Sequence, residues 1–128
     1  MNYSIEMLEN DSIMYVQFRK GFGKDDLQSY LDEARALYAA AESPVYQILN
    51  IEDLALGFDD IMEFLSMSFR GERNATKHPM NRGTLIVTKN VLYQMMARGL
   101  THVSFGSMKI QVFESLEAAQ TWINNQAT

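Results

Sequence analysis

There is no cysteine anywhere in the 128 residues, which excludes disulfides, thiolate metal sites and a cysteine nucleophile together. Histidine is almost as scarce. His78 and His102 stand at no metal-ligand spacing and beside no nucleophile, so both read as structural or exposed. Neither G-x-x-x-x-G-K-[ST] nor G-x-G-x-x-G occurs, and Gly106-Ser107 lacks the second glycine of a nucleophile elbow. No apolar run reaches the length of a membrane span. The start, Met1-Asn2-Tyr3-Ser4-Ile5-Glu6, has no basic stretch ahead of an apolar one, so no signal peptide is expected and the expected location is cytoplasmic. The sequon Asn74-Ala75-Thr76 carries no meaning without secretion. With no nucleophile paired to a base and no carboxylates at a fixed spacing, the expectation is a protein that is not an enzyme and has no cofactor and no metal.

A surplus of positive charge is missing as well. The net charge of -5 argues against nucleic acid as a partner, since neutralising phosphates takes excess Lys and Arg. The average conceals an asymmetry. Residues 70 to 82 hold Arg70, Arg73, Lys77 and Arg82 against the single acid Glu72, a local +3 that leaves -8 for the rest. At 47% hydrophobic and 21% charged residues the chain has the composition of an ordinary folded protein, and its length suits one domain over 1–128.

Strand-like segments run from Tyr3 to Leu8 and from Ser12 to Arg19, and Glu9-Asn10-Asp11 between them favours a turn, so a hairpin is expected. Ile13-Met14-Tyr15-Val16 is continuously apolar, as a strand covered on both faces would be. From Asp25 to Glu42 the positions Leu27, Tyr30, Leu31, Ala34, Leu37, Tyr38 and Ala41 repeat at three and four residues and predict a helix closed by Ser43-Pro44. Val45 to Ile51 reads as a buried strand, and Glu52 to Gly57 as a loop. A second helix is expected over about Phe58 to Phe69. The loop His78 to Gly83 leads into a third buried strand, Thr84 to Thr88. Asn90 should cap a third helix turning Leu92, Met95 and Met96 inward, and Lys109 to Phe113 is the last strand. Ser115 then caps a closing helix with Leu116, Ala119, Trp122 and Ile123 on one face, Trp122 in the core. The result is an α/β order of ββαβαβαβα, a mixed sheet with an amino-terminal hairpin and helices packed on it.

The tail Ile110-Gln111-Val112-Phe113-Glu114-Ser115-Leu116-Glu117-Ala118-Ala119-Gln120-Thr121-Trp122-Ile123 resembles the closing strand, aromatic residue and helix of the SpoIIAA-like family. That family has the STAS fold of anti-sigma-factor antagonists, and the element order resembles it over nearly the whole chain. The resemblance implies a regulatory or protein-interaction domain without enzymatic activity. In the best-known antagonists a regulatory serine follows the strand matching Val45 to Ile51, where phosphate would meet a helix amino terminus. Asn50 to Leu65 holds no Ser or Thr, so that switch is not carried over.

Two candidate surfaces follow. The first is an interaction face of Asp53, Phe58, Asp59, Asp60, Met62 and Phe69, on which a partner protein or a second copy of the chain, forming a homodimer, would dock. Seven of the twelve residues from Phe58 to Phe69 are apolar, more than one helix face can bury, although the following loop could equally cover the excess. Its acids, with Glu52, are otherwise expected as solvated or dipole-complementing charges. The second is a headgroup site of Arg70, Arg73, Lys77 and Arg82, where a small amphipathic or lipid-like anion would bind beside that helix. The plainer alternative is a solvated loop pairing with the acidic surface of the same chain.

Overall fold

The computed structural model describes residues 2–54, 59, 63, 79–102 and 110–126. They form five strands, β1 (Tyr3–Leu8), β2 (Ile13–Phe18), β3 (Val45–Asn50), β4 (Asn81–Val87) and β5 (Ile110–Phe113). Three helices accompany them, α1 (Lys24–Ala40), α2 (Val91–His102) and α3 (Leu116–Gln126). Asp59 and Glu63, the two described residues of the expected second helix, are both helical. The strands lie in chain order, β1-β2-β3-β4-β5. β1 runs antiparallel to β2, and every later neighbour is parallel. The mixed sheet opened by a hairpin is the architecture the pattern of elements predicts.

Alternation along each strand sorts side chains onto two faces. Met14, Val16 and Phe18 of β2 join Leu49 and Ile86 beneath Leu27, Tyr30, Leu31, Ala34 and Tyr38 of α1 and Tyr93 of α2. Ile13, Tyr46, Ile48, Leu85 and Val87 point the other way, onto Ala119 and Ile123 of α3. The unbroken apolar run of β2 is thus explained by two covered faces. Trp122 is half-buried, with its ring edge-on to Tyr46 at 5.9 Å. On the α1 side four rings interlock edge to face, Tyr3, Phe18, Phe22 and Tyr30, with centroids from 4.7 Å for Phe18–Phe22 to 6.3 Å for Tyr3–Tyr30.

One polar group lies in the middle of this apolar layer. Gln47 of β3 is wholly buried. It accepts a hydrogen bond from the Tyr38 hydroxyl at its Oε1 (2.7 Å) and donates from Nε2 to the Tyr30 hydroxyl oxygen (2.8 Å). Burial pushes both phenols well above their ordinary range.

The turns store some strain. Glu9, Asn10 and Asp11 all sit in the left-handed region, with φ of 50, 58 and 62. Asn and Asp tolerate that region, whereas for Glu9 it costs about 1 kcal/mol or more. Gly21 has φ +94, and a Cβ there would come within 3.3 Å of the Asn2 amide, whose nitrogen donates to the Gly21 carbonyl.

The structure corrects the expected phase of α2. Leu92 and Met95 face outward, and Tyr93 and Gln94 take the inward positions. Asn90 does cap this helix, its Oδ1 accepting from the backbone N–H groups of Leu92 (2.9 Å) and Tyr93 (3.2 Å).

Candidate interaction surface

Parallel strands in register end together. Gln17 pairs with Asn50, Asn50 with Val87 and Val87 with Phe113, so β2 to β5 reach a common carboxyl edge. In open α/β sheets this edge is where ligands and partners are usually met. The chain leaves it through short turns held by side chains. The Asn50 Oδ1 accepts from the Glu52 N–H (2.9 Å), and the Thr88 Oγ1 accepts from the Asn90 N–H (3.1 Å).

The second turn decides what α2 shows to solvent. The Gln94 side chain is buried and donates from Nε2 to the Thr88 carbonyl (2.8 Å), clamping the first turn of the helix to the end of β4. Tyr93 enters the core beside it. With 93 and 94 turned inward, the 100° step of a helix sends Val91, Leu92 and Met95 outward, and they are 66%, 46% and 62% exposed. They are the exposed large hydrophobic side chains among the described residues. Lys89, just ahead of the cap, and Arg98, one turn past Met95, are exposed beside them.

Asp53 lies on the same carboxyl edge. It is exposed and accepts a hydrogen bond from the Gln17 Nε2 (3.2 Å). Around it the polar groups satisfy one another: Asn50 donates to the Tyr15 hydroxyl oxygen (2.9 Å), and Arg19 donates to the Ser4 hydroxyl oxygen (3.2 Å). Asp59 is helical and exposed, and Glu63, one turn on, pairs with Lys24 at the start of α1 (3.0 Å). That contact sets Glu63 beside the start of α1. Arg82 is exposed at the opposite, amino end of β4, its guanidinium 5.1 Å from the centre of the Tyr46 ring. It is separated from the carboxyl edge by about five residues of strand, roughly 17 Å. Phe58, Asp60, Met62, Phe69, Arg70, Arg73 and Lys77 lie outside the described residues.

The sequence pattern turned Leu92 and Met95 inward and placed none of Val91, Leu92 and Met95 on a candidate surface. The signal was there in Val91-Leu92-Tyr93, three successive apolar residues that no helix can turn to one face. Elsewhere, a cleft of about 420 Å³ opens between the hairpin turn and the end of α1, lined by Met7, Leu37, Ala41 and the exposed carboxylates of Asp11 and Glu42 among others. Among the described residues no three His, Asp or Glu side chains are grouped to hold a metal ion, and no helix is long and apolar enough to cross a membrane.

The chain is similar in structure to an uncharacterized protein of the DUF3478 family from Shewanella loihica PV-4, whose crystal structure has a SpoIIAA-like fold. The TM-score is 0.63 at 15% identity, over 94% of this chain and 90% of that one. No protein-family model and no curated protein matches the sequence. The chain therefore has the SpoIIAA-like fold, as its closing strand and helix led one to expect.

Proposed function

We propose that this chain is a non-enzymatic protein-interaction domain of the STAS type, docking a partner on the outward face of α2 at the carboxyl edge of the sheet. The observation that carries this reading is the gathering of Val91, Leu92 and Met95 on one exposed helix face. A domain that buries Phe18, Ile48 and Leu85 completely does not leave three large apolar side chains side by side in water without cost. Scattered apolar residues need no explanation; a contiguous group on a helix held rigidly by Asn90 and Gln94 is a ready contact surface. The patch amounts to roughly 300 Å² of apolar surface, well short of the ~800 Å² that each partner contributes to a standard stable interface. A reversible contact with a small element of a partner fits that area better than a permanent dimer.

Photocrosslinking in the cells that make the protein tests this. A photoreactive residue at Met95 should give discrete adducts that Leu92→Glu abolishes, and the same residue at Ala36, exposed on α1, should give none. Equal labelling from both positions, or none from Met95, would sink the reading.

A further inference from the structure

Resting on the reading of α2 as a docking face, the distribution of charge specifies the chemistry of what docks there. From Arg73 to Phe113, 41 residues, there is not one Asp or Glu, while Arg73, Lys77, Arg82, Lys89, Arg98 and Lys109 are all basic. All sixteen acids fall outside that stretch, against five basic residues, so a segment of +6 is set in a remainder of -11. The segment includes β4, α2 and β5, which are neighbours at one side of the sheet. α1 and the β1–β2 hairpin, at the other side, carry Glu6, Glu9, Asp11, Asp25, Asp26, Asp32 and Glu33 against Lys24 and Arg35. Of the six cations of the basic segment the described ones are Arg82, at the amino end of β4, and Lys89 and Arg98, on either side of the α2 patch, while the exposed acids Glu114 and Glu117 follow β5 directly.

α2 lies on the basic side, and its first turn has no acidic residue. Helices normally carry acids there, because the amino end is the positive end of the dipole. Here Lys89 precedes the cap and adds to that positive end. Arg98 lies one turn beyond Met95, so the apolar patch is bracketed along the helix by two exposed cations. An anionic group set next to an apolar anchor is what such a face attracts, and a cationic partner is repelled by it.

We infer that the face of α2 formed by Val91, Leu92 and Met95, with Lys89 and Arg98 at its ends, takes an acidic amphipathic segment of a partner protein. The apolar side of the segment covers the patch and its carboxylates meet Lys89, with the charge of Arg98 adding to the positive potential of the face. None of the three exposed side chains is an aromatic ring of the kind that anchors a helix at a lipid headgroup layer, which favours a protein segment over a membrane surface.

The test uses the full chain and two helical peptides, each with leucine on one face, one with glutamate and one with lysine on the other, followed by fluorescence anisotropy at low and moderate salt. The glutamate peptide should bind at least about tenfold more tightly than the lysine peptide. Met95→Glu should abolish that binding, and Lys89→Glu should weaken it about threefold and flatten its salt dependence. Equal binding of the two peptides, binding of neither, or a preference that survives Met95→Glu overturns the inference. Recruitment to phosphatidylglycerol vesicles without binding of the glutamate peptide overturns both the inference and the docking domain. Self-association that Met95→Glu removes, with no peptide bound, overturns the acidic partner and leaves the docking domain standing.

Discussion

Replacing Gln47 by leucine asks how much a single buried amide contributes to this fold. Gln47 has no exposure to solvent and bridges two hydroxyls, accepting from Tyr38 at 2.7 Å and donating to Tyr30 at 2.8 Å. Leucine fills nearly the same volume but neither accepts nor donates. Each hydroxyl that loses its partner in the dry layer costs about 1–3 kcal/mol, the lost hydrogen bond included. The gain from a more apolar side chain offsets about 1 kcal/mol. Gln47→Leu should therefore lower stability by about 1–5 kcal/mol, a large share of the roughly 5–15 kcal/mol available to a domain of this kind. Tyr38→Phe removes one hydroxyl and strands only the Gln47 oxygen, so about 1–2 kcal/mol is expected. In the double variant the amide and that hydroxyl disappear together, and its cost should fall short of the sum of the singles by about 1–2 kcal/mol. Urea unfolding of the four proteins, compared at their midpoints with m-values checked for constancy, supplies every term of the cycle. A cost for Gln47→Leu under about 0.5 kcal/mol, or strict additivity, would refute the view that the amide is held in place by the two phenols.

The same pair of phenols predicts sensitivity to alkali. Both are raised by burial above 10.0, so between that pH and their folded values the native state holds protons the unfolded state has lost. Stability should be level up to about pH 10 and fall above it by as much as ~1.4 kcal/mol per pH unit for each tyrosine. Urea midpoints that stay constant from about pH 9 to 11 would contradict this, and Tyr38→Phe should make the decline shallower. Glu9→Gly, which relieves a left-handed residue in the hairpin turn, should raise stability by roughly 0.5–1 kcal/mol, seen as a higher melting temperature; a decrease would mean that the side chain matters more than the backbone. Asn90→Ala removes the acceptor for two helix N–H groups and should cost about 1 kcal/mol, with hydrogen exchange accelerated at Leu92 and Tyr93. Met95→Glu, by contrast, should leave the urea midpoint unchanged within about 0.5 kcal/mol, because the side chain it replaces is already in water.

What could be read from the sequence was whatever has a short period. The apolar run from Ile13 to Val16, the three-and-four spacing from Leu27 to Tyr38, and the caps Asn90 and Ser115 are all decided by neighbours within a turn or two. The phase of α2 was not, because Val91, Leu92, Tyr93, Met95 and Met96 offer two apolar faces of similar strength. The choice falls to a contact outside the helix, the grip of Gln94 on the Thr88 carbonyl. Gln47 was equally unreadable as a core polar residue: its partners are 9 and 17 positions away on α1, and a glutamine between apolar residues says nothing of where its hydrogen bonds go. At the carboxyl edge that holds the candidate surface the sequence offered Asp53, whereas Arg82 lies at the opposite end of β4. The absence of acids from Arg73 to Phe113 is visible by counting, but it bears on the surface only because the fold sets Lys89 and Arg98 on either side of the α2 patch.

The order of the strands across the sheet is also their order along the chain. During synthesis, then, each new strand emerges when the edge it will pair with is already in place, and no strand has to be inserted between two earlier ones. β2 can close on β1 through a turn of a few residues, and each later crossover adds one strand to a growing side. Such a sheet grows as it is made, and its two edges are the first strand formed, β1, and the last, β5, which among the described residues spans only four positions and offers a stray strand little to extend.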